Sequence, residues 1–186
     1  IRGTGHAPEV DMRMAIAESC DVYYYDLARK LGIDRLSEGL AHYGFGQATG
    51  IDITSEQRGI LPSRAWKRAK LGQPWYPGET LSVGIGQGYM LATPLQLAQA
   101  AMILANRGVA YKPALVNRIG DEEQASMPLE EVLASPAHWS AVIASMMDVV
   151  HDPAGTAAAI STDLAYTIAG KTGTSQVIGI AQDAVY

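Results

Sequence analysis

Met12, Ala15, Ile16 and Ser19 recur at i, i+3, i+4 and i+7, one face of a helix, with Asp11 placed to cap it. The stripe ends on Ser19, a small hydroxyl where an apolar side chain is expected. A second helix is predicted from about Val22 to Leu31, with Tyr25, Ala28 and Leu31 inward and Gly32 as its stop. A third runs from an Asp34 N-cap through Leu36, Leu40 and Tyr43 to Gly44. Thr93-Pro94-Leu95-Gln96 carries a cap, a proline at the first helical position and a capping-box glutamine. Its expected buried stripe is Leu97, Ala98, Ala101, Leu104 and Ala105. Ser135-Pro136 opens the last long helix in the same way, with Trp139, Val142 or Ile143, Met146 and Val150 as core positions. His151, near its C-terminus, is expected to satisfy carbonyls or the helix dipole.

Residues 44–92 show no such period. GFGQATGIDI and SVGIGQGYM are glycine-rich, and LPSRAWKRAKLGQPWYPGET sets Pro, Trp and Tyr in a cationic stretch. This half reads as irregular. Trp75 and Tyr76 either line a cleft or pack beneath a long loop. Val109 to Ile119 reads as a strand interrupted by Pro113, and Asp121 to Pro128 as a polar loop. Gly155-Thr156-Ala157 begins a turn and a short helix. Tyr166, Ile168 and Val177 surround a final predicted strand. Helices followed by a strand imply an α+β domain with one core.

Composition narrows the partners. The 186 residues suffice for one domain, and 48% hydrophobic with 18% charged residues is ordinary globular content. A net charge of −5 gives no basic surface for nucleic acid. No apolar run approaches the roughly 18 residues of a membrane span. The one cysteine, Cys20, excludes an internal disulfide.

The candidate chemistry lies in Lys171-Thr172-Gly173-Thr174. Strand alternation puts Lys171 and Gly173 on one face, Thr172 and Thr174 on the other. A lysine, hydroxyls and an approachable backbone suit an anionic substrate whose carbonyl oxygen gains charge. The bland alternative is an edge strand with a solubilising lysine and a bulge glycine. Gly84-Ile85-Gly86-Gln87-Gly88 lacks the GK[ST] ending of a phosphate loop and is better read as a cleft wall.

A second constellation, Ser19-Cys20-Asp21, pairs with this one. Together they resemble the Ser-x-Asn and Lys-Thr-Gly motifs of the serine penicillin-recognising enzymes. The resemblance narrows along the chain: ESCDVYYY, GIDRLSE, YGFGQATGID, PWYPGET, VGIGQGYMLATPLQ and GKTGTSQV, in that order, are similar to elongation-type class B penicillin-binding proteins. It covers roughly residues 5–180. It implies an α+β penicillin-binding/serine β-lactamase-like transpeptidase fold, a helical core plus an antiparallel sheet. It implies a serine of a Ser-x-x-Lys motif that attacks a D-Ala carbonyl of a peptidoglycan stem peptide. No serine in this chain has lysine three residues on. The chain is therefore expected to be an internal part of one transpeptidase domain, residues 1–186. The nucleophile would lie upstream, further strands downstream, and the fold would be incomplete in this chain.

Roles follow from the resemblance. Ser19 would relay a proton, with Asp21 where most members carry Asn. Lys171 would supply positive potential, and the Thr174 N–H an oxyanion donor. Thr172, Gly173, Thr174 and Gln176 would bind substrate. Some elongation-type members hold zinc beside this motif, which makes His6 and Cys20 candidate ligands of a structural Zn; catalysis itself would need no cofactor. The implied partners are stem peptides, β-lactams and cell-elongation proteins, and the implied location is a periplasmic domain on an inner-membrane anchor outside this chain. The competing readings are a D,D-carboxypeptidase or β-lactamase of the same fold, and a non-catalytic binding module. Glu130-Glu131-Val132-Leu133-Ala134 lacks the Asn of a class A lactamase's Glu-x-x-Leu-Asn.

Overall fold

A computed structural model describes residues 9–175. Helix α1, Met12–Ala17, starts where Asp11 accepts a hydrogen bond from the Met14 N–H at 2.8 Å. It buries Ala15, Ile16 and Ala17, while Met12 remains 39% exposed. Ser19 lies beyond the helix end rather than on its stripe. Helix α2, Asp21–Ala41, is continuous except at Gly32, whose φ of 73° and ψ of 162° break it. Gly32 takes the non-helical position expected of Asp34, and Asp34 pairs with Arg64 instead, at 3.2 Å.

The stretch read as irregular contains two helices, α3 at Arg64–Leu71 and α4 at Pro77–Gly84. Ser63 caps α3 and the left-handed Gly72 ends it. Pro77 begins α4, and the Glu79 carboxylate returns to the Tyr76 N–H at 2.8 Å. Both are short, and their signals were masked by the surrounding glycines and cations. Helix α4 packs against α2 so closely that a Cβ at Gly84 would come within 2.5 Å of the Ala28 Cβ.

Helix α5, Pro94–Ala105, starts at the expected Thr93 capping box. Its buried face is Gln96, Gln99, Ala100 and Ile103, not the alanine stripe, and Leu97 is exposed. The reason is polar satisfaction. The fully buried Gln96 amide donates to the carbonyls of Gln47 (2.7 Å) and Arg58 (2.8 Å), tying the glycine-rich loop to the helix. Most of the strand expected over 109–119 forms no ladder. Only β1, Arg118–Ile119, pairs antiparallel with β2, Glu122–Glu123, inside the stretch read as a loop. Pro113 interrupts the rest, leaving scattered bonds such as Lys112 N–H to Met127 O at 2.8 Å.

Helix α6, Pro136–His151, is capped by Ser135 and buries Trp139, Ser145, Val149 and Val150. It packs on α1, and an Arg13–Asp148 fork, one arm 3.0 Å, joins their exposed sides. A 3-10 turn follows at Ala158–Ile160. No ladder includes residues 166–175, so the predicted strand is unpaired among the described residues. It docks along α6 instead. Ile168 N–H donates to His151 Nε2 at 3.1 Å and Gly170 N–H to Met146 O at 3.0 Å. His151 Nε2 thus accepts from this segment. Val177 lies outside the described residues. The fold is α+β, mainly helical with a small antiparallel hairpin. No helix among the described residues is long and apolar enough to cross a membrane.

Candidate functional site

Ser19 occupies the short turn between α1 and α2 with φ of 54°, in the left-handed region. A non-glycine residue there costs roughly 1–2 kcal/mol and signals a constraint stronger than local preference. The conformation turns the hydroxyl away from the helix stripe and toward residues 171–174. Lys171 Nζ donates a short hydrogen bond to Ser19 Oγ, and lies 3.2 Å from Thr172 O and 3.3 Å from Thr172 Oγ1. Ser19 Oγ also lies 3.2 Å from Thr172 Oγ1.

These residues border a cavity of about 660 Å³, with Asp21, Gly173 and Thr174 among its lining and Gly84, Ile85 and Gln87 on another wall. The glycine-rich loop therefore shapes the cleft wall as expected. Gln87 Nε2 donates to Thr174 O at 2.9 Å and bridges the two walls. Lys171, Thr172, Gly173 and Thr174 all reach the cavity because the segment meets it along its edge. Simple alternation assigned them to opposite faces.

Burial lowers the Lys171 pKa from its ordinary 10.5, and the Asp21 carboxylate opposes that by favouring the ammonium. The site thus holds a lysine whose charged form is less favoured than in water, touching a hydroxyl that donates and accepts at once. Such a pair moves protons at a carbonyl or amine centre. Taken alone, it suits either a serine nucleophile or a serine relay.

Trp75 and Tyr76 do not line this cavity. With Tyr89 they surround Lys67, whose Nζ lies 5.9, 4.4 and 5.6 Å from the Trp75, Tyr76 and Tyr89 ring centres. Sequence reasoning also missed Thr156, whose hydroxyl joins Ser19 and Thr172; only its neighbour Gly155 hinted at a constrained turn. Gln176 and His6 lie outside the described residues. Cys20 is buried, and among the described residues no three of His, Cys, Asp and Glu group together. His42 and His138 are exposed, as expected.

The model of the penicillin binding protein transpeptidase domain matches residues 2–184. The chain is 42% identical to the peptidoglycan D,D-transpeptidase MrdA of Haemophilus influenzae over 190 residues, covering 98% of this chain and 29% of that protein. Among solved structures, PBP2 of Pseudomonas aeruginosa in complex with WCK 5153 superposes with a TM-score of 0.84 at 48% identity, covering 90% of this chain and 39% of that one. PBP2 of Helicobacter pylori in complex with MreC gives 0.84 at 34%, covering 95% and 32%. The chain thus spans under a third of the length of the curated relative.

Proposed function

The chain belongs to the penicillin-binding protein transpeptidase domain family, and on that premise we propose that it forms part of a peptidoglycan D,D-transpeptidase of the elongation type. The observation that carries this reading is the convergence of Lys171, Ser19 and Thr172 on one cavity with the Gly173–Thr174 backbone along its edge. In the reaction the attacking serine gives its proton to the lysine of its own Ser-x-x-Lys motif as its oxygen bonds to the D-Ala carbonyl carbon, and the C–N bond to the terminal D-Ala breaks. An amine of a neighbouring stem then attacks the ester and restores the serine.

Ser19 passes the proton. It gives its own to the leaving amine and takes one from Lys171, then reverses this for the incoming amine. Asp21 biases Lys171 toward the charged state that starts this cycle. Lys171 and the hydroxyls of Thr172 and Thr174 attract the terminal carboxylate. Gly173 leaves room for a peptide backbone along the segment. The Thr174 N–H serves as one oxyanion donor. The attacking serine is not among these 186 residues, since none has lysine three positions on.

The same reading brings β-lactams as substrate mimics and an elongation-machinery partner, supported by the Helicobacter pylori relative solved with MreC. It places the domain in the periplasm on an inner-membrane anchor. A bound zinc would need ligands beyond Cys20, and metal analysis of the full-length protein tests for it.

Covalent labelling by a fluorescent penicillin tests the function. The full-length protein should carry the label through denaturing electrophoresis, while the 186-residue chain alone should not. A full-length protein that stays unlabelled would contradict the reading and favour a binding module.

A further inference from the structure

Thr156 belongs to none of the motifs above, yet its hydroxyl completes a triangle with the two that do the proposed work. Thr156 Oγ1 lies 2.8 Å from Thr172 Oγ1 and 3.2 Å from Ser19 Oγ. The backbone around it is held at both ends. Thr156 N–H donates to Ala17 O, the last carbonyl of α1, at 3.0 Å. Ala157 N–H donates to Val149 O at 2.9 Å and Gly155 N–H to Asp152 O at 2.8 Å, fastening the turn to the end of α6. Gly155 fits so closely there that a Cβ would come within 2.3 Å of Asp148 O and 2.4 Å of Val149 O. Only glycine permits this approach.

Ser19 is held less directly: on either side of it Glu18 N–H donates to Met14 O at 2.9 Å and Cys20 N–H to Ala15 O at 3.0 Å, but its own bond is weaker. Its backbone is left-handed, and its N–H reaches Ile16 O only at 3.4 Å. Its Oγ has three side-chain partners, Lys171, Thr172 and Thr156. Thr156 Oγ1 also lies 3.4 Å from Ala17 O, which can only accept. A hydroxyl both donates and accepts, so Thr156 can bond Ser19 and Thr172 together. We propose that Thr156 is a positioning residue, a fixed hydroxyl that holds the Ser19 and Thr172 oxygens in register with Lys171. This rests on the relay reading of Ser19. A hydroxyl network polarises its members and is worth more intact than its pairs suggest.

The test compares Thr156→Val, Thr156→Ala and Thr156→Ser in the full-length protein. It separates penicillin affinity from the acylation rate constant across pH and records the thermal midpoint of each variant. Thr156→Val and Thr156→Ala should acylate about tenfold more slowly, the scale of one or two lost hydrogen bonds. Their affinity should be little changed, and the limb of the pH profile due to Lys171 should move. Thr156→Ser should recover at least half of the rate. Wild-type rates and pH profile in Thr156→Val or Thr156→Ala would overturn the proposal. So would a Thr156→Ser variant as slow as Thr156→Val at an unchanged midpoint. A wild-type protein that fails to acylate at all would instead remove the transpeptidase reading.

Discussion

Lys171→Met in the full-length protein is expected to slow penicillin acylation by about 10²–10⁴-fold, the span of a lost general acid–base group. The protein should fold no less stably. Burial lowers the native pKa of Lys171 below 10.5, so the folded state disfavours the charged form. The native protein carries that cost wherever the lysine is protonated. The cost is relieved as pH rises through the native value toward 10.5. Stability of the wild type should therefore gain slightly over that alkaline window, and the methionine variant should lack the gain. Denaturant titrations at several pH values check this, alongside stopped-flow acylation. A variant that unfolds in step with its lost activity would mean that Lys171 serves packing rather than proton transfer.

Lys67→Ala is expected to cost about 3–5 kcal/mol of stability, the scale of breaking a buried ion pair by removing one partner. Lys67 is fully buried, ion-paired with Glu79 and enclosed by Trp75, Tyr76 and Tyr89. Burial pushes the Glu79 carboxyl up. Hydrogen bonds from Lys67, the Tyr76 N–H and Tyr89 OH (3.2 Å), with the Lys67 charge, overcome that and hold it below its ordinary 4.5. The stability that this depression contributes is present above pH 4.5 and lost as pH falls through the lower native value. Lys67→Met should lose most of that acid dependence. The Lys67→Met, Glu79→Gln pair should recover part of the loss, because no charge is then left unpartnered. Denaturation midpoints from pH 3 to 7 check both. A Lys67→Ala variant within 1 kcal/mol of wild type would show the pair to be dispensable. The pair matters to the cleft because α4 carries both Glu79 and Gly84, the latter on the wall that continues to Gln87 and its bond to Thr174.

The starts of α1, α5 and α6 were legible because Asp11, Thr93 and Ser135 announce themselves by local chemistry that tertiary packing does not override. The buried face of α5 was not. Hydropathy turns glutamine outward, and nothing local reveals that loop carbonyls await Gln96 on the inside. The burial of Lys67 was not legible for the same reason: nothing in its neighbours Arg64, Arg68 and Lys70 reveals that Glu79 and three rings from a later stretch enclose it. At the site, Ser19 and Lys171 were legible as motif members. Their contact spans 152 positions, and Thr156 bridges them from a third place in the chain. A hydroxyl without a motif carries no signal until the backbone brings it there. The segment at 171–174 read as a strand from its β-formers, yet a strand also requires a partner, and local pattern does not supply one.

The most direct measurement is mass spectrometry of the proteolysed full-length protein after penicillin acylation. The predicted result is an adduct on the serine of a Ser-x-x-Lys motif outside these 186 residues, with Ser19 unmodified and the adduct strongly diminished in Lys171→Met. An adduct on Ser19 itself would contradict the account and make the Ser19–Lys171 pair the nucleophile rather than the relay.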